Sequence, residues 1–257
     1  FHKEYYSRKS LANALHRSWR EAIKEVKNIK IDRWCEMSLH RPELGEKIER
    51  VLRIGGEAST EKNNADMMTR LIAILDSVGP IRTQHLSMRP EGYGCQLANF
   101  IRQGNPPEMN QMFDTIENDL PNYWATLSEG HKSQDLSQAI WRLQRCRSFM
   151  KIRSLGFGFE RLLYDLNPGL PCQSPLVKQY HISNLQDLLK TLDAMAPQLA
   201  PDTSLVDRHI AAFIASKLDI TKEVKLNDLA VIPVLAKNPE LIAMRILTKA
   251  QQRHDKL

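Results

Sequence analysis

Four cysteines, eight histidines and one run of arginines with aromatics are the residues that could carry chemistry in this chain. The cysteines stand at Cys35, Cys95, Cys146 and Cys172, far apart and with no C-x-x-C pair. Zinc sites need close ligand pairs and small disulfide scaffolds need dense cysteines, so this spacing predicts neither a metal site nor a disulfide framework. It predicts four reduced thiols in a cytoplasmic protein. The nucleophilic arrangement to weigh is Cys172, in a proline-rich loop, with His181 nine residues later. A thiol activated by imidazole would need the two within hydrogen-bond reach, and an unreactive loop thiol is the simpler expectation. Asp207, Arg208 and His209 are consecutive, and consecutive helical residues point in different directions, so they do not form an acid–base dyad.

The nucleotide, metalloprotease and hydrolase signatures G-x-x-x-x-G-K-S/T, H-E-x-x-H and G-x-S-x-G are absent, as is an EF-hand loop. The Gly-x-Gly of "LGFGFERLL" (155–163) lacks a preceding strand and the third glycine of a dinucleotide site, and reads as a chain break. No cofactor and no metal are expected, and the balance leans away from an enzyme.

The stretch "WRLQRCRSFMKIR" (141–153) carries five basic side chains among large apolar ones. Placed on a helix, Leu136, Ala139, Leu143, Cys146 and Met150 form one apolar stripe. Trp141, Arg142, Arg145, Phe149 and Arg153 fall on the opposite side, with Arg147 and Lys151 on a flank. Such a face has three uses: internal packing with the arginines paired to carboxylates, a protein interface built on Trp and Arg, or phosphate contacts with base stacking. A second segment, 70–104, has the order of a helix–turn–helix, with a short helix expected through "TQHLSMR". Its turn "PEGYG" is long, and its last helix carries only Arg102 as a basic residue, so ordinary helix packing is the better expectation.

The elements that must position these residues are helical. Leu11, Leu15, Trp19, Ala22, Val26 and Ile29 step by three or four along one long amphipathic helix. "RPELGEKIERVLRIGG" reads as a helix stopped by Gly55-Gly56, and "ADMMTRLIAILDSV" as a largely apolar helix ending at Gly79-Pro80. A break is expected near Pro121, and the arginine-rich helix is expected to start at Ser133 or Asp135 and to run to Arg153. Strand signals are scarce. The segment "LNPGLPCQSP" (166–175) reads as the connection between two parts: a helical bundle over 1–165 and a smaller set of stacked antiparallel helices over 176–257. The expected fold is all-α.

Formal charge is +6, unevenly spread. Residues 1–90 hold 17 basic and 12 acidic side chains, 91–131 hold 1 and 6, and 132–161 hold 7 and 2. Blocks of both signs can steer a charged partner or pair internally. The longest apolar runs, such as "LAVIPVLA" (229–236), are too short to span a bilayer, and the chain opens on Phe1 and polar residues with no signal-peptide pattern. It reads as one piece of a longer chain or assembly. The function expected is a non-catalytic interaction or regulatory module whose protein partner meets Trp141, Arg142, Arg145, Phe149 and Arg153. Nucleic acid, met by the same face with Arg82, Arg89 and Arg102, is the alternative. An enzyme of unrecognised type using Cys172 and His181 comes third.

Overall fold

The computed structural model describes residues 5–26, 28, 30–57, 60–104, 106–127, 133–198, 204–219 and 247–248. Among these, twelve α-helices and a single two-stranded hairpin make an all-α protein, as the patterning predicts. The chain divides into two compact units, Phe1–Gln144 and Arg145–Leu257.

The first unit opens with α1 (Arg8–Arg17) and α2 (Trp19–Val26), two helices where one was expected. The break falls at Ser18, whose N–H still donates to the Ala14 carbonyl. The predicted stripe survives it: Leu11, Leu15, Trp19, Ala22 and Val26 are all buried, while Ile29 lies outside the described residues. α3 (Ile31–Met37) and α4 (Pro42–Glu57) follow and pack on each other. Gly55-Gly56 does not stop α4, which runs through both. A Cβ on Gly55 would stand 2.4 Å from the Met67 sulfur, so the glycine allows close approach to α5 (Glu61–Leu75). Met67 through Leu75, except Arg70, is buried without interruption, the mark of a helix enclosed on all sides. Each fully buried Leu or Ile there stabilises the fold by about 1.5–3 kcal/mol relative to an exposed one.

Beyond α5 the chain makes the hairpin β1 (Ile81–Arg82) and β2 (Ser87–Met88), antiparallel, with Ile81 opposite Met88 and Arg82 opposite Ser87. This is a correction: the short helix expected at "TQHLSMR" is the hairpin tip and its second strand, so the helix–turn–helix order is lost. α6 (Tyr93–Gln103), α7 (Pro106–Glu117) and α8 (Leu120–Leu127) complete the unit with the start of α9 (Gln134–Arg147). The break near Pro121 falls at Asn118-Asp119, where Asp119 takes a positive φ of 56°, and Pro121 sits in the first turn of α8, where its missing N–H costs nothing. Ser133 caps α9, its Oγ accepting the Leu136 N–H at 3.1 Å.

α9 ends at Arg147 rather than Arg153 because the chain turns over 148–150. The second unit then contains α10 (Gly158–Leu166), α11 (Leu185–Met195) and α12 (Arg208–Asp219). α10 packs on α12. Gly158 opens α10 at a φ of 76°, and a Cβ there would meet the Ile152 carbonyl at 2.9 Å, so this glycine serves a tight turn. The proline-rich segment 166–175 lies within the second of these compact units. Cys172 N–H donates to the Ile182 carbonyl at 2.7 Å, and Ser174 Oγ–H donates to Asp207 at 2.6 Å. These bonds satisfy the backbone and side chains of a segment that carries no regular structure. The rest of the helical set expected over 176–257 lies outside the described residues beyond Asp219, except for Leu247 and Thr248.

Candidate functional site

The structure disperses the face expected over 141–153. Trp141 is 57% exposed on α9, and Arg142 is half-buried beside it. Phe149 is fully buried and lies beneath the Arg161 guanidinium, 5.2 Å from ring centroid to carbon, so it cannot meet a partner. Arg145 is mostly buried and faces Asp165 at 3.9 Å. Arg153 lies beyond the end of the helix, on an exposed connection. The physical reason is the turn over 148–150: once the helix stops, angular positions counted along it no longer hold.

The arginines named for nucleic acid are also committed. Arg82 forms a buried ion pair with Asp76 at 2.8 Å. Arg89 faces Glu91 at 3.7 Å and lies over the Trp124 ring at 5.5 Å. Arg102 is exposed at the end of α6, donating to the Asn99 side chain at 3.3 Å. Arg82 and Arg89 thus each have a carboxylate neighbour within the chain.

Cys172 and His181 do not form a nucleophilic pair. Cys172 is buried, while His181 is exposed with Nδ1 3.2 Å from the Gln179 carbonyl. Burial pushes the Cys172 thiol pKa up, the opposite of activation. Tyr164 accepts the Gln173 N–H at 2.9 Å and lies 3.1 Å from His209 Nδ1. Asp207 caps α12 by accepting the Ile210 N–H at 2.8 Å. This polar network ties the proline-rich segment to α10 and α12, and each of its members has a structural task.

The concave surface lies in the first unit. Thr83 to Leu86 form the hairpin tip, closed by the Thr83 N–H donating to the Leu86 carbonyl at 2.8 Å. Two side chains grip it from opposite elements. Gln111 of α7 accepts from the Thr83 hydroxyl at 2.7 Å and from the His85 N–H at 3.1 Å. His16 of α1 places Nε2 3.0 Å from the Thr83 carbonyl, and because a carbonyl only accepts, Nε2 carries the proton. The tip is thereby fixed with Gln84 at the border of two concavities, which share Trp19, Arg20 and Gln84 in their walls.

The larger concavity, about 580 Å³, is enclosed by α2, the start of α5, the hairpin tip and α7. Trp19, Ile23, Ala65 and Leu120 supply its apolar wall, and Gln84, Asn110, Gln111 and Asn118 supply neutral amides. Three of its charged groups, Lys62, Asp66 and Asp114, are held in ion pairs. Lys62 bonds Asp114 at 3.3 Å and Glu117 at 3.1 Å, and the hydrogen bond to Glu117, joined by Asp114, holds the Lys62 pKa above its usual value. Asp66 accepts from Arg70 at 3.0 Å, and Arg70 also donates to the Asn118 carbonyl at 2.8 Å. Beneath the wall, the buried Tyr93 hydroxyl donates to Thr115 at 3.0 Å, and Thr115 donates to the Met112 carbonyl at 2.7 Å, which fixes the α6–α7 packing.

Among the described residues no group of three or more His, Cys, Asp or Glu could hold a metal ion, and no helix is long and apolar enough to cross a membrane. No protein-family model, curated protein or solved structure matches the chain. The concavity was out of reach of sequence reasoning because its walls come from four separate segments. Neutral amides scattered over 84–118 form no motif, and the hairpin tip that orders them was read as a helix.

Proposed function

We propose that the protein is a non-catalytic interaction or regulatory module that binds an extended segment of a protein partner in the larger concavity. The observation that carries this reading is the pairing of an apolar wall with an amide rim in about 580 Å³. That volume lies in the range of specific ligand sites. An apolar side chain can be buried against Trp19, Ile23 and Leu120, while the amides of Gln84, Asn110 and Asn118 can donate to and accept from a peptide backbone. The mutual pairing of Lys62, Asp114 and Glu117, and of Asp66 with Arg70, supports binding over proton transfer, since these groups are already held in place by each other.

Nucleic acid is the poorer occupant. Glu61, Asp66 and Asp114 line the same concavity and would repel phosphates. The four cysteines, all free thiols, support a reducing, cytoplasmic setting for the module.

Selection of random displayed peptides on the wild-type protein, with counter-screening on Asn110→Trp, tests the reading. Asn110 is exposed at the rim, so the indole would obstruct the concavity without entering the core. Enriched peptides should share an apolar anchor and lose binding to the variant at unchanged circular dichroism. Peptides that bind both proteins equally would refute the site.

A further inference from the structure

The smaller concavity, about 430 Å³ at the α1–α2 junction, is lined by Arg17 and Arg20. Several arginines elsewhere are matched to acids: Arg70 to Asp66, Arg82 to Asp76, Arg161 to Asp165 and Arg208 to Glu160. Arg17 and Arg20 both line this concavity, and among the described residues neither forms an ion pair. His85 and Gln84 of the hairpin tip and Ser18 add donors to the same wall, and Glu21 is the one carboxylate among its described residues. Burial first, and then the charges of Arg82 and Arg17, hold the His16 pKa below its usual value against the opposing effect of its bond to Thr83.

We infer that this concavity is a binding site for a compact phosphate monoester, held by the Arg17 and Arg20 guanidinium groups with Ser18, Gln84 and His85 as further donors. Two guanidinium forks call for an anion with more than two oxygens and more than one charge, which a phosphate monoester supplies and a carboxylate does not. The volume admits a phosphoryl group with a small carrier. A long polyanion is excluded by what lies next door: past Arg20 and Gln84 it would run against Glu61, Asp66 and Asp114. The inference stands whether or not a peptide occupies the larger concavity.

Isothermal titration of the whole protein at low ionic strength, with O-phosphoserine and with inorganic phosphate, tests it. Saturable one-site binding is expected, weakened about tenfold or more by Arg17→Ala and by Arg20→Ala, as loss of a hydrogen bond to a charged group implies. Arg33→Ala, at an exposed arginine on α3 outside the concavity, should leave affinity unchanged. If either alanine variant loses its helical spectrum, the lysine variants at the same positions replace it, and they should bind more weakly because the charge stays but the fork is lost. A parallel arm uses phosphatidylcholine vesicles containing phosphatidic acid. Binding to vesicles without binding to phosphoserine would overturn the inference in favour of a membrane headgroup. Equal weakening by Arg33→Ala, or no saturation, would overturn it as diffuse attraction.

Discussion

Replacing Arg82 by Met should destabilise the first unit far more than any surface arginine can. The Asp76–Arg82 pair is 2.8 Å long, with side chains only 6% and 10% exposed. Asp76 Oδ1 also accepts the Gly79 N–H at 3.2 Å, and the Gly79 carbonyl accepts from Trp124 Nε1 at 2.8 Å, so the pair anchors the end of α5 to α8. Gly79 is required beside it, because a Cβ there would stand 2.3 Å from Asp76 Oδ2. Removing one partner of a buried pair leaves the other charge without compensation and costs about 3–5 kcal/mol. At about 2–4 °C per kcal/mol for a chain of this size, the melting temperature should fall by roughly 6–20 °C. Among the described residues Arg82 Nη1 is buried with no acceptor, so the pair is imperfectly satisfied. The double variant Asp76→Ala/Arg82→Met should therefore lose less than the two single variants together. Thermal melts of the three variants followed by circular dichroism give the cycle. A single Arg82→Met variant that melts with the wild type would refute the burial of this arginine and return it to the surface.

Other consequences are open to equally simple assays. Phe149→Ala should cost about 3–5 kcal/mol in chemical denaturation, whereas Trp141→Ala, at an exposed site, should stay within about 0.5 kcal/mol of the wild type. Gly158→Ala should lose about 1–3 kcal/mol, since it forces a side chain onto a positive φ against the Ile152 carbonyl. In native alkylation followed by mass spectrometry, the exposed Cys95 should react first. Cys35, Cys146 and Cys172 should resist, because all three are buried and burial pushes each thiol pKa up, that of Cys35 to about 11. His16 has a folded pKa below its unfolded 6.5, so the unfolded chain takes up the proton first as pH falls. Its contribution is therefore intact above pH 6.5 and is lost progressively below it, until the folded form is also protonated. His16→Gln should flatten the melting temperature over that acidic window.

What the sequence made legible follows from how each signal is encoded. The stripe from Leu11 to Val26 and the apolar run of α5 are local patterns, although α5 ends at Leu75 rather than at Gly79-Pro80, and of the two caps expected for α9, Ser133 and Asp135, it is Ser133 that serves. The break at Ser18 is not encoded by glycine or proline, and the continuation of α4 through Gly55 depends on where Met67 lies, a contact between helices. The hairpin has strands of two residues each, too short for alternation to register. Arginine partners were the least legible. Arg82 reads as a phosphate contact and Arg145 as either a partner contact or one half of an internal ion pair, and the sequence does not name their carboxylates because Asp76 and Asp165 reach them only once the chain has folded. Phe149 was misplaced for a different reason: the helix ends two residues before it, so its phase on α9 has no meaning.

Under the proposed function, recognition occurs in the larger concavity of the first unit rather than along α9. A titration of the isotope-labelled protein with a selected peptide, followed by amide chemical shifts, tests it most directly. Shifts should concentrate at Arg20, Ile23, Ala65, Gln84 and Asn118. Shifts concentrated instead at Trp141 and Arg142, with these residues unmoved, would contradict it.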